Sequence, residues 1–408
     1  MLRSALERRL GAVVSNAGGR AVRGGLAAAL VLAVSGVAAS AATAKTVYVS
    51  AMGKDSNPCT LAAPCKTIGH GVAKARKGDT VHVAGGTYRE QVTVTKDIKV
   101  TGVNGAVVNA IGQTNGFLIK GRSAAGSRVN GFTVKNAMFE GILAVSTTRV
   151  TISNNLVRHN DQGLKAASPT GECAPAGPVP GDCGEGLHLM SVTNSHVIGN
   201  VVKDNAGGIL LTDELGPTAR NVISRNSALD NVLDCGITVA GHSSNAVSST
   251  TGALQPKSGG IYNNTISHNV ANGNGTKGEG AGILLAAGGP GSGVYNNVVS
   301  DNTANGNGLA GVTLHSHAPH QDLNGNKIID NKLSNDGLNS SSEAEFGENG
   351  MTVGILVGSG MTTLTGIVIT GNTISNVHYG IYTKHVPAMN SKANKFHNVT
   401  AKLTQTQV

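Results

Sequence analysis

A short phrase, Asn-x-[Val/Ile]-x-x-Asn, recurs along this chain between Asn155 and Val377. Copies begin at Asn155, Asn200, Asn221, Asn264, Asn297 and Asn326, and a seventh from Asn372 reaches Asn376 one place early. A second phrase, glycine followed by alternating apolar residues, starts at Gly141, Gly186, Gly208, Gly236, Gly282, Gly311, Gly354 and Gly380. Recurrence of this kind means one supersecondary unit stacked on itself.

After each glycine the first and third residues are apolar, as in Leu187/Leu189, Ile209/Leu211, Ile237/Val239 and Val312/Leu314. Period two with one buried face is a strand signature, and a helix would need apolar spacing of three or four. The unit therefore reads as a Gly strand, a turn, an Asn strand and a turn. Such coils stack in parallel about 4.8 Å apart. Glycine is expected to turn the corner through positive φ, and asparagine to bind freed backbone groups and the asparagines above and below. The fold class is all-β, a parallel β-helix with a short N-terminal capping helix. A β-sandwich would need hairpin turns and would lack the coil-length period. The 57 glycines, the absence of Trp and the 13% charged residues agree.

Residues 1–44 read as a signal peptide. Arg3, Arg8, Arg9, Arg20 and Arg23 precede an apolar stretch from Leu26 to Val37, then small residues through Ala44. Removing them lowers the formal charge from +9 to about +5. A secreted or extracytoplasmic, monomeric protein follows, with no membrane span in the mature chain. Residues 45–408 form one domain: a cap over 45–79, coils over 80–391 and an irregular end over 392–408. Five cysteines fit export, read as local pairs Cys59–Cys65 and Cys173–Cys183 with Cys235 left buried. Thr67 is placed to start the capping helix, with Ile68, Val72 and Ala75 on one face. No basic run interleaves with aromatics, so nucleic acid is not a partner.

The opening carries a specific resemblance. Thr46-Val-Tyr-Val-Ser50, Gly53-Lys-Asp-Ser-Asn57, Pro64-Cys-Lys-Thr-Ile68, Lys77-Gly-Asp-Thr80 and Gly85-Gly-Thr-Tyr-Arg-Glu90 are similar to the entry of pectate-lyase-like right-handed β-helix proteins. Polysaccharide lyases of families 6 and 9 open this way. The resemblance implies right-handed coils and an acidic, uronate-containing polysaccharide as partner. It also implies Ca²⁺ or a basic residue to neutralise the sugar carboxylate. Fold alone does not choose between lyase, epimerase, hydrolase and binding protein.

Long segments leave the coils after the Asn strands, at 161–185, 227–235, 270–281, 303–310 and 332–353. Another, roughly Gly241 to Ser258, leaves the far end of a Gly strand. Together they are expected to wall a groove over the outer face of the Gly strands. Ionisable residues peak there between Asp161 and His242. The expected catalytic set is His188, Lys165, Asp213 and His242. Substrate would be held by Glu185, Glu214, Thr238 and His315, and metal by Asp182 and Asp234. The resemblance makes Lys165 the counterpart of the lyase base, on a coil or at the root of the Cys173–Cys183 loop. His188 is the rival, because imidazole titrates near neutrality. The chemistry is proton abstraction α to a uronate carboxylate, ending in β-elimination or C5-epimerisation. Glu185, Asp213 and Glu214 also admit a hydrolytic reading. With aromatics at 3%, so does binding without catalysis.

Overall fold

A computed structural model describes residues 43–103, 105–163, 184–278, 280–339, 350–387 and 389–406. The segment read as a signal peptide, apart from its last two residues, falls outside them. So do Lys165, Cys173, Asp182 and Cys183. Among the described residues no helix is long and apolar enough to cross a membrane.

All ladder pairings between the named strands are parallel, and the chain is a right-handed parallel β-helix. A typical coil has three strands rather than the two expected from the sequence, and three coils add a two-residue strand, Thr218–Ala219, Ile261–Tyr262 and Val294–Tyr295, which pair as a small third sheet. One coil runs His196–Ile198, then Val201–Lys203, then Gly207–Thr212. The first face is an 11-stranded sheet. The second and Gly faces each pair through successive coils and fuse into one 20-stranded sheet. They fuse because Thr373–Lys384 and Lys395–Thr406 run unbroken across both faces. That last strand replaces the irregular C-terminal end anticipated above.

The third strand was hidden because one phrase spells two different pieces of the coil. Asn155–Asn160 and Asn200–Asn205 bracket strands of the second face, Leu156–Arg158 and Val201–Lys203. Asn221–Asn226, Asn264–Asn269 and Asn297–Asn302 bracket strands of the first face, Val222–Ser224, Thr265–Ser267 and Val298–Ser300. The underlying step is five residues, apolar in its centre, repeated at successive corners.

Every such corner uses the same bonds. The Asn155, Asn200, Asn226, Asn269, Asn302, Asn331, Asn372 and Asn394 amides form one ladder, each Nδ2 donating to the next Oδ1 at 2.9–3.0 Å. That oxygen also accepts a backbone N–H from the coil below, as Asn226 does from Asn200. A second ladder runs Asn160, Asn205, Asn231, Asn274, Asn307 and ends on Asp336. A third joins Asn221, Asn264, Asn297 and Asn326. Apart from half-buried Asn394, these side chains are 0–2% exposed, so each ladder satisfies backbone groups that water cannot reach.

Positive φ sits just before the ladder asparagine, not at the repeated glycine. His159, Asp204, Arg225, Asp230, His268 and Asp301 have φ of 54–58°. Asn, Asp and His enter that region more readily than other side chains, which explains the polar residue at this place. The repeated glycines are required for closeness instead. A Cβ on Gly186 would run into Val202 and the Asn205 amide, and one on Gly208 into the Gly236 carbonyl.

The apolar interior is continuous, from Val81 and Val100 through Ile152, Val197 and Ile223 to Ile369. Its N-terminal end is closed by the helix Ile68–Lys74, whose Thr67 cap accepts from the His70 N–H. Glu90 reaches back from a later coil to accept the Ile68 and Gly69 N–H groups at 2.8 Å. Asp55 holds Lys66 and Thr67, and Cys59–Cys65 is a disulfide. Cys235 is free and buried.

Candidate functional site

Parallel register stacks the outward residues of the Gly strands into columns. Leu143, His188, Leu210, Thr238, Leu284, Thr313 and Leu356 form one; Val145, Met190, Thr212, Ala240, Ala286 and His315 form the next. Ladder stacking brings His188, Thr212, Glu214 and His242 to one place.

The first column is not an open trench. His188 is 3% exposed, Thr238 is 5% exposed, and Leu210, Thr313 and Leu356 are fully covered. His188 therefore lies beneath the surface, in contact with neighbours rather than solvent. Its Nε2 meets the Thr212 Oγ1 at 2.8 Å, and its Nδ1 lies 3.6 Å from Glu140. Thr212 also bonds the Glu214 carboxylate. Because an ionised carboxylate only accepts, Thr212 donates to Glu214 and takes the His188 Nε2 proton as its own donor. Glu214 Oε1 lies 2.7 Å from His242 Nδ1. The result is a hydrogen-bonded line, His188–Thr212–Glu214–His242, with Glu140 close to its buried end and the other end partly open. The His242 and Glu214 side chains are 18% and 33% exposed.

Partial burial works to raise the Glu214 pKa. Hydrogen bonds from His242 and Thr212, with the charges of His242 and His188, outweigh it and hold the carboxyl at about 2. Glu214 is thus ionised at neutral pH. His242 Nδ1 is then its donor, and Nε2 is the nitrogen that can take up a proton.

Asp213, expected to be catalytic, is structural. It is fully buried, and its oxygens accept the N–H groups of His242, Ser243 and Gly260. Burial raises its pKa despite those bonds. It ties both feet of the 241–260 loop to the coil below and so positions His242. Thr238 packs between Leu210 and Leu284. His315 lies away from the line, its ring 4.5 Å from that of His317. Desolvation, then the charge of His317, push its pKa well below the usual histidine range.

Glu185 is buried at the start of its strand, and Asp234 lies half-buried nearby, across Gly207, accepting the Cys235 N–H. Calcium needs six or more oxygens, several from carboxylates. Among the described residues no three carboxylates bring their oxygens close enough to share an ion.

Sequence reasoning missed Glu140 and Thr212. A signal existed for the first: Glu140-Gly141 and Glu185-Gly186 are the same position of successive coils, since Gly141 N–H donates to the Glu185 carbonyl.

A family model described as periplasmic copper-binding protein (NosD) matches residues 74–249 and 128–308, together more than half of the chain. The chain belongs to this family. Among solved structures, the mannuronan C-5 epimerase AlgE4 A-module of Azotobacter vinelandii is similar at 15% identity and a TM-score of 0.50. That match covers 81% of this chain and 91% of that one. Pectate lyase Pel9A follows at 17% identity and a TM-score of 0.45, with 80% and 79% covered. PfbA, a surface adhesin of Streptococcus pneumoniae, has 10% identity and a TM-score of 0.42, with 79% and 85% covered. At these identities the likeness concerns the fold. No curated protein matches by sequence.

Proposed function

We propose that this chain is an extracytoplasmic lyase or C5-epimerase of a uronate-containing polysaccharide, with His242 as base and Glu214 as its positioning partner. The observation that supports it is the partly exposed Glu214–His242 couple, backed by Thr212, His188 and Glu140. His242 Nε2 takes the C5 proton; Glu214 fixes the ring and stabilises the imidazolium. The electron pair left at C5 then expels the 4-linked sugar, giving an unsaturated end. Alternatively, C5 receives a proton on its other face, giving the epimer. A binding-only role is the second reading, favoured by the covered Leu210 and Leu356 column, which leaves no long trench for catalysis.

The family name speaks of copper, which favours His, Met and Cys donors. Among the described residues the one close trio of His, Cys or acidic donors is Cys59, Cys65 and His70, and its sulfurs are joined in the disulfide. These residues do not fit copper.

Pectate, alginate and glycosaminoglycans incubated with the protein, with and without Ca²⁺, test the reading through absorbance of unsaturated product and epimer ratio by NMR. His242→Ala and Glu214→Gln should each lower turnover about a hundredfold or more. Absence of product on every polymer, with retained binding, would establish the second reading.

A further inference from the structure

The corner at which the Gly strands end holds a hollow of about 440 Å³, and nothing in the catalytic reading uses it. Arg122, Thr147, Thr148, Arg149, Thr193 and Pro217 line it among others, and its lining carries two positive charges and no negative one. Both arginines are exposed, and among the described residues neither has an ion-pair partner. Thr147 is 5% exposed and its hydroxyl has no hydrogen-bond partner in the protein. A buried hydroxyl is ordinarily satisfied, so an orphan here marks a place that something else completes.

The internal repeat supplies an independent argument. Arg149 occupies a corner whose equivalents on other coils are Asn194, Arg220, Asn263, Asn296 and Gly325, all with positive φ. Asn and Gly suit that backbone and Arg does not. Arg220 has a local reason, since its Nε donates to Asn194 at 3.0 Å. Among the described residues Arg149 has no such side-chain bond, so its guanidinium is available to a ligand.

We propose that this hollow binds a carboxylate-bearing sugar unit, with Arg122 and Arg149 gripping the carboxylate and the Ser and Thr hydroxyls meeting the ring hydroxyls. Paired guanidiniums suit a carboxylate through forked hydrogen bonds, and hydroxyl-rich walls suit a sugar ring. The hollow also adjoins the acid–base couple. Its wall at Leu215, Gly216 and Pro217 directly follows Glu214, and the Leu215 N–H donates to Ser191 Oγ at 2.9 Å. The inference rests on the uronate reading and names where a unit beside the reacting one would be held.

Titration of the protein with oligogalacturonate, oligomannuronate, neutral malto-oligosaccharide and a sulfated heparin oligosaccharide, at low ionic strength, tests it by calorimetry. One uronate oligomer should bind and the neutral sugar should not. Arg122→Gln/Arg149→Gln should weaken that binding about tenfold or more, with partial recovery in the double Lys variant, which keeps charge but loses the fork. An unchanged affinity in the double Gln variant, binding of the sulfated oligomer alone, or no uronate binding at all would overturn it. If binding depends on both arginines while no polymer is turned over, this site stands and the catalytic reading falls.

Discussion

The corners of one coil make opposite uses of polar residues. At the Asn corners successive coils from Asn155 onward repeat the same buried amide bonds, and the side chains face only one another and the backbone. At the corner ending the Gly strands an amide ladder begins only at Asn221, and Val150 and Ser195 hold its place on the earlier coils. There Asp213, Glu214, His242, Arg122 and Arg149 differ from coil to coil. The contrast teaches that repetition carries stability and its interruption carries chemistry: where one bond pattern satisfies the backbone on every rung, a rung elsewhere is free to diverge.

Breaking a ladder should have the largest effect. Asn226→Leu strands the Asn200 N–H and takes one hydrogen bond each from Asn200 Nδ2, the Val197 carbonyl and Asn269 Oδ1. With about 1–3 kcal/mol for a stranded buried group and about 1 kcal/mol for each further bond, a loss of roughly 3 kcal/mol or more is expected in urea unfolding. A loss below about 1 kcal/mol would mean the ladder is not what holds that corner. Gly186→Ala comes next, at about 1–3 kcal/mol, because the methyl meets Val202 and Asn205 without any change of φ. An Ala there without cost would show that the coils can spread.

The smallest effect sharpens the comparison at the ladder's last rung. Asp336 takes the place of an asparagine, fully buried, accepting from Asn307 and Ser334. Burial, only partly offset by those bonds, pushes its pKa up from 3.8 to about 7. A pKa raised on folding contributes stability that is complete below the unfolded value and lost as pH rises through the folded one. Asp336→Asn should therefore gain over the parent as pH rises from about 4 to about 7, and hold that gain above. Melting curves at pH 4.5 and 8 decide it; an equal difference at both would remove the titration.

The fold was legible because its signals are local and repeated. Alternating Leu187/Leu189 and Ile209/Leu211 announce strands, and equal spacing announces stacking. Two strands per coil were read instead of three because a five-residue step taken twice looks like one phrase with two meanings. The repeated glycine misled for a related reason: residue type shows that a Cβ is forbidden, but not whether φ or a neighbour forbids it. Of the site, His188, Glu214 and His242 were found by stacking columns. Burial was out of reach, so Asp213 looked catalytic although three backbone N–H groups consume it, and His188 looked open although it is covered. Arg122 and Arg149 were missed because they sit at a corner, outside the strand pattern.

Asp213 has one more consequence. By gripping His242 and Ser243 where the loop departs and Gly260 where it returns, it fixes both feet of an arch to a single carboxylate. What lies between those feet can be exchanged, lengthened or grafted from elsewhere while the rod beneath keeps its shape. On the function proposed above, substrate preference can thus drift in the arch while His242 and Glu214 stay put.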